Sequence, residues 1–205
     1  MSLIDQALRV AEVLEGMGIR YALVGGLACI LMGIRRVTED ADFIIELRSI
    51  SEAEELAHML NDIGFYLPIR EVREAYIEKS HFTIIVGDYR IDFKVAKDYL
   101  DYETLRTAVK VHIKCKYLRI ARLEENIVAK ILVLRSIKDL EDALKLIIIY
   151  YDKLNWDRIY ELANRDLRSE VLNLIRIIEE EFKYDKNVQE KISELKQFFV
   201  KAFKQ

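Results

Sequence analysis

The sequence predicts an α/β chain: a small mixed β-sheet flanked by helices over residues 1–120, then an all-helical C-terminal subdomain over residues 121–205, packed on that core. Three observations predict it. In the first half, short apolar runs stopped by glycine alternate with stretches of helical periodicity. From about Leu123 onward the apolar pattern is wholly helical. No Pro/Gly-rich linker lies between the halves, so a boundary near residue 120 is a change of architecture and not a flexible joint.

Each element follows in order. Leu8, Ala11, Val13, Leu14 and Met17 recur at helical spacing, and Gly18 ends that helix. "RYALVGG" is a short buried strand stopped by glycine, and "LACILMG" is a short apolar helix. "DADFIIEL" returns as a strand with Ala41, Phe43, Ile45 and Leu47 on one face, so that Asp40, Asp42 and Glu46 take the other. Ser51 with Glu54 three residues on forms a capping box that opens the helix "SEAEELAHMLNDIG". "HFTIIVGDYRIDFKVA" reads as a hairpin turning at Gly87-Asp88, with Tyr89, Ile91, Phe93 and Val95 alternating with Arg90, Asp92 and Lys94. "AVKVHIKCKYLRIA" reads as further strand, with Lys110, His112, Lys114 and Lys116 at period two. Helices are expected near 123–135, 139–152, 156–164, 168–182 and 187–203.

Composition narrows the function classes. A hydrophobic content of 52% with 33% charged residues is that of a globular chain. The most apolar stretch, "LKLIIIYY", is far short of the roughly 18 uncharged residues that span a bilayer, so no membrane partner is expected. No charged-then-apolar leader opens the chain, which makes the cytoplasm the expected compartment. Cys29 and Cys115 lack metal spacing and read as reduced thiols. A net charge of -3 argues against a protein that coats nucleic acid, while the lysine strip remains either a solvated strand face or a local RNA-binding one. A single proline, scarce Gln and Asn, and abundant Ile, Glu, Lys and Arg are the composition of a heat-adapted protein.

The chemistry lies in the aspartates. Two carboxylates at i and i+2 on a strand project from one face and repel unless a cation sits between them. A solvated face would explain them blandly. Against that stand the otherwise apolar strand, Asp92 on the polar side of another β-run, and a glycine pair with thirteen residues between Gly26 and Asp40. Hard carboxylate oxygens from neighbouring strands suit Mg²⁺ (or Mn²⁺), and two such ions can clamp the attacking and leaving oxygens of a phosphoryl transfer. A strand ending in Gly25-Gly26 lets backbone N–H groups approach an anionic phosphate closely.

Together these residues resemble the nucleotidyltransferase superfold, the DNA polymerase β-like family, whose signature is a Gly-Gly turn, an Asp-x-Asp pair about a dozen residues on, and a third Asp on a later strand. The string Gly25-Gly26-Leu27-Ala28, Gly33, Arg36-x-Thr38-x-Asp40-x-Asp42 is most similar to the branch of AbiEii-type toxins and related uncharacterised nucleotidyltransferases. "AKILVLRSIKDLEDALKLI", with Arg135, Lys138, Asp139 and Asp142, resembles that branch's helical segment. The likeness covers roughly residues 20–150.

The resemblance implies catalytic and metal-holding roles for Asp40, Asp42 and Asp92. Asp40 and Asp42 would grip the nucleoside triphosphate through metals, and Asp92 would help to take the acceptor's proton. Nucleotide-binding roles are implied for Gly25, Gly26, Arg36, Thr38, Lys138 and Asp142. Here Lys138 would reach a phosphate and Asp142, at i+4, would orient it. Thr38 otherwise starts the strand, Arg36 otherwise pairs with Glu39, and Lys138 with Asp142 is otherwise a surface ion pair. The implied activity is Mg²⁺-dependent transfer of a nucleoside monophosphate from an NTP to an RNA end such as a tRNA, a protein or a small-molecule hydroxyl. It would be toxin-like, with an antitoxin-like partner. The alternative is a catalytically degenerate nucleotide-binding or partner-binding protein on the same fold. A metal-dependent nuclease also clusters aspartates, but has no triphosphate for the glycine turn to cradle.

Overall fold

The computed structural model describes residues 1–203, which divide after Arg122 into two compact units. The first contains α1 (Leu3–Gly16), β1 (Arg20–Val24), α2 (Gly25–Leu31), β2 (Asp40–Glu46), α3 (Ile50–Asp62), α4 (Ile69–Glu78), β3 (His81–Val86), β4 (Tyr89–Val95), α5 (Tyr99–Thr107), β5 (Val109–Ile113) and β6 (Lys116–Ile120). Its strands form one mixed sheet in the order β3-β4-β2-β1-β6-β5. β2 lies at the centre, antiparallel to β1 and parallel to β4.

Alternation along the strands builds two unlike faces. On one, Tyr21, Leu23, Ala41, Phe43, Ile45, Ile91 and Phe93 are buried. Phe43 stands 6.0 Å from Tyr21 and 5.7 Å from Phe93, which stacks on Phe82 at 4.6 Å. Each large apolar side chain buried there contributes about 1.5–3 kcal/mol. On the other face Ala22, Ile44, Ala96 and Leu105 make a smaller core, with Val24 and Ala108 packed against it. The polar face of β2 is thus only partly polar: α5 roofs Ile44, while Asp40 and Asp42 stay half-buried.

Four local features of the first unit differ from expectation. The cap of α3 is Ser49, whose Oγ accepts from the Glu52 N–H at 3.1 Å, so Ser51 lies inside the first turn. The same Ser-x-x-Glu spacing occurs twice here, and Arg48 selects the earlier copy by donating its backbone N–H and Nε to Glu52. Helices α4 and α5 are additions; Pro68 precedes the first, and an Asp98–Asp101 capping box opens the second.

The fourth difference is that the last run is a hairpin and not one strand. It turns at Lys114 and Cys115, both with left-handed φ (50° and 64°). The lysine strip is therefore broken: Lys110 and His112 sit on β5, Lys114 in the turn and Lys116 on β6. Its charges meet the acidic side of α1, with Lys114 to Asp5 at 2.7 Å, Lys116 to Glu12 at 2.6 Å and Lys110 to Glu15 at 3.4 Å. The hydrogen bond from Lys114, with those from Ser2, holds the Asp5 carboxyl well below the usual range.

The second unit is helical. It runs through α6 (Leu123–Ala129), a π-helical turn (Lys130–Leu134), α7 (Ile137–Tyr150), a 3-10 turn (Tyr151–Lys153), α8 (Trp156–Ala163), α9 (Leu167–Glu181) and α10 (Lys186–Phe203). The single helix expected over 123–135 is interrupted by the π turn and ended by Arg135 at φ 59°. Ser136 then caps α7, accepting from the Asp139 N–H at 3.1 Å, which starts that helix at Ile137 rather than at 139. Leu140, Ala143, Leu144, Ile147, Val171, Leu174, Ile192 and Leu195 are buried within this unit. Among the described residues no helix is long and apolar enough to cross a membrane.

Candidate active site

The parallel pairing of β2 with β4 sets Asp40 beside Arg90 and Asp42 beside Asp92. Alternation then puts all four side chains on one face, on strands about 4.8 Å apart. On the other flank of β2, Val24 pairs with Asp42, so β1 delivers the glycine turn directly to that carboxylate.

Gly25 has φ +67°, and a Cβ there would lie 2.1 Å from Asp42 Oδ2 and 2.8 Å from its Cγ. Only glycine permits both this backbone and this approach. A Cβ on Gly26 would meet Thr38 Oγ1 at 2.9 Å and the Arg36 Cζ and Nη2 at 3.2 Å. The structure thus brings Gly25, Gly26, Arg36, Thr38 and Asp42 into one cradle, with Asp40 and Asp92 on the adjoining strand positions. Thr38 also donates to the Asp40 carbonyl at 3.4 Å, two residues before the strand begins.

Two further residues belong to this group. Arg90 Nε donates to Asp92 Oδ2 at 2.8 Å and lies 3.4 Å from Asp40 Oδ1, while Thr83 Oγ1 donates to Asp92 Oδ1 at 2.6 Å. The charges of Asp92 and Asp40 hold the Arg90 guanidinium above its ordinary pKa. Arg90 was accessible to sequence reasoning, since it lies two residues before Asp92 on the same strand face. Thr83 was not, because it reaches Asp92 only through the antiparallel register of β3 with β4.

Among the described residues no group of three or more His, Cys, Asp and Glu side chains converges into a ready cage for a metal ion. The donor chemistry still fits a hard divalent cation: carboxylate oxygens on adjacent strands, with a glycine backbone pressed against one of them. Between Asp40 and Asp92 the guanidinium of Arg90 supplies the positive charge.

The two site residues expected in the helical unit are placed differently. Lys138 is exposed in the first turn of α7. Asp142 is buried and faces Lys130 Nζ at 3.1 Å, and Asp139 faces the same amine at 2.8 Å. The expected orientation of Lys138 by Asp142 is therefore corrected. Asp139 and Asp142, three residues apart, share the α7 face that looks onto Lys130.

The family model described as "Nucleotidyl transferase of unknown function (DUF2204)" matches residues 4–194. Among solved structures, an antigenic nucleotidyltransferase-like protein from Paracoccidioides brasiliensis is 16% identical, with 92% of this chain and 91% of that one covered at a TM-score of 0.49. The antibiotic-resistance factor ANT(2'')-Ia is also 16% identical, with 85% and 96% covered and a TM-score of 0.49. A tRNA-processing enzyme is 17% identical at a TM-score of 0.43, with 98% of this chain covered but only 57% of the enzyme. No curated protein sequence matches the chain.

Proposed function

We propose, from the premise that this chain belongs to that nucleotidyl transferase family and is an enzyme of its class, that it moves a nucleoside monophosphate from an NTP to an acceptor hydroxyl. Asp40, Asp42 and Asp92 are the residues that would hold Mg²⁺ or Mn²⁺. The observation that carries this reading is the contact of Gly25 with Asp42: a phosphate-binding turn and a metal-binding carboxylate are of use together only if they touch.

When bound, the divalent cation supplies positive charge to the triphosphate and acidifies the acceptor hydroxyl. The chain's own residues do the rest. Backbone amides at Gly25 and Gly26 approach the phosphate oxygens, where α2 begins without a side-chain cap. Arg36 and Thr38, packed on Gly26, present a guanidinium and a hydroxyl to the same oxygens. Asp92, oriented by Thr83, takes the acceptor's proton. The acceptor oxygen bonds to the α-phosphorus as the bond from that phosphorus to the bridging oxygen breaks, and pyrophosphate leaves with the electron pair.

The test is a screen of four α-labelled NTPs with Mg²⁺ against total RNA and cell lysate. We expect a labelled acceptor, with release of pyrophosphate and a melting temperature raised by metal plus nucleotide. The same screen separates an RNA end from a protein or a small-molecule hydroxyl. A toxin-like role would show as suppression of labelling by an antitoxin-like partner. No pyrophosphate from any NTP, with melting curves unmoved by metal and nucleotide, overturns the reading.

A further inference from the structure

We propose that Arg90 is a resident counter-cation of the carboxylate group: it holds Asp40 and Asp92 together while the site is free of metal, and must leave them when a divalent cation enters. Metal and polyphosphate then bind as a coupled pair. The inference rests on the nucleotidyl-transfer reading of the site and adds a role that the carboxylates alone do not provide.

The geometry argues for a displaceable cation. Arg90 reaches both carboxylates at once, at 2.8 and 3.4 Å, and bridges the two strands that carry them. Its side chain is 53% exposed, and those of Asp40 and Asp92 are 42% and 22% exposed. Ion pairs this wet are weak and readily exchanged. Without Arg90, the carboxylates of Asp40 and Asp92 would face each other across adjacent strands without the cation they share. Thr83 fixes Asp92 from its other oxygen, so Asp92 keeps its place when the guanidinium leaves.

Coupling follows from charge. A divalent cation arriving alone must evict a guanidinium and offer it nothing. A cation arriving with a polyphosphate supplies anionic oxygens, which the forked guanidinium binds in bidentate fashion. Each ligand therefore favours the other through the same side chain.

The test measures bound Mn²⁺ by equilibrium dialysis, with Mn²⁺ alone and with Mn²⁺ plus inorganic tripolyphosphate, for the parent chain, Arg90→Gln, Arg90→Lys and Asp42→Asn. Melting in EDTA provides a second readout. We expect Arg90→Gln to bind Mn²⁺ alone about tenfold more tightly than the parent, because one competing charge is gone. It should gain less from tripolyphosphate and melt lower in EDTA, with Arg90→Lys between. If the parent binds Mn²⁺ with tripolyphosphate and Asp42→Asn does not, while Arg90→Gln matches the parent in affinity and in EDTA, the Arg90 role is overturned and the nucleotidyl-transfer site stands. A parent that binds no Mn²⁺ under either condition overturns both.

Discussion

The cation set among carboxylates in the first unit at Arg90 and the one in the second at Lys130 differ in how much water reaches them. In the first unit Arg90, half exposed, bridges Asp40 and Asp92 on the sheet face. In the second, Lys130, the first residue of the π turn and 2% exposed, lies between Asp139 and Asp142. In the wet group the ions lose little hydration and are screened, so partners can exchange. In the dry group Lys130 and Asp142 have given up nearly all their water, so removing the amine is costly. The same residue types thus form a group open to exchange in one unit and a buried one in the other.

The largest effect should come from Asp42→Asn. We expect nucleotidyl transfer to fall by about three orders of magnitude and the rise in melting temperature with metal and NTP to vanish. Stability in EDTA should hold or increase by about 1 kcal/mol, since a crowded charge is relieved. Melting curves in EDTA, and in Mg²⁺ with NTP, check both arms. A less stable variant that still responds to metal and NTP would make Asp42 structural, like the group at Lys130.

Next in size is Lys130→Met, which leaves two acids without their shared amine. A loss of about 3–5 kcal/mol is expected from denaturant midpoints. A second change, Asp142→Leu, should recover part of it by removing a stranded charge. If Lys130→Met costs no more than a surface pair, the contrast between wet and dry groups fails.

Gly25→Ala sharpens the comparison from the wet side. Its Cβ would fall 2.1 Å from Asp42 Oδ2 on a left-handed backbone, so a cost of about 1–3 kcal/mol and a loss of transfer activity are expected together. Unchanged activity would show that the turn does not need to touch the carboxylate.

The smallest effects belong to the clasp of β5 and β6 on α1, whose ion pairs lie at the surface. Lys114→Glu and Lys116→Glu should each cost less than about 1 kcal/mol and leave the salt dependence of any RNA binding unchanged. A flattened salt slope would return these lysines to an RNA-binding role. Glu15 adds a pH signature. Burial raises its carboxyl, but the hydrogen bond and charge of Arg119, with Lys110, prevail and hold it below its ordinary value. A carboxylate depressed on folding stabilises above its unfolded pKa, and that contribution is lost as pH falls through the folded value. Denaturant midpoints measured downward from pH 5 should therefore fall more gently in Glu15→Gln than in the parent.

Much of this was legible in sequence where the signal is local. Asp40 and Asp42 had to share a face because strand geometry repeats every two residues, whatever the fold. Gly25-Gly26 announced the end of the strand and a close backbone approach because glycine carries no side chain. The helical second half was visible in its apolar spacing alone. Weak local signals failed: Val72 and Ala75 are a thin stripe for α4, and the Lys114-Cys115 turn lacks the Asn or Gly that normally marks a tight hairpin.

What the sequence by itself determined was the set of groups on each strand and helix face: the aspartates, the glycine pair and the apolar stripes. Which groups meet was decided only by the tertiary structure. The pairing of β2 with β4 put Asp92 beside Asp42 and Arg90 beside Asp40, β3 brought Thr83 to Asp92, and the π turn aimed Lys130 at Asp139 and Asp142. The reason is physical. A residue's direction on a strand or helix follows from its own backbone dihedrals, whereas register follows from how whole sheets and bundles bury their apolar faces, a choice made over the entire chain.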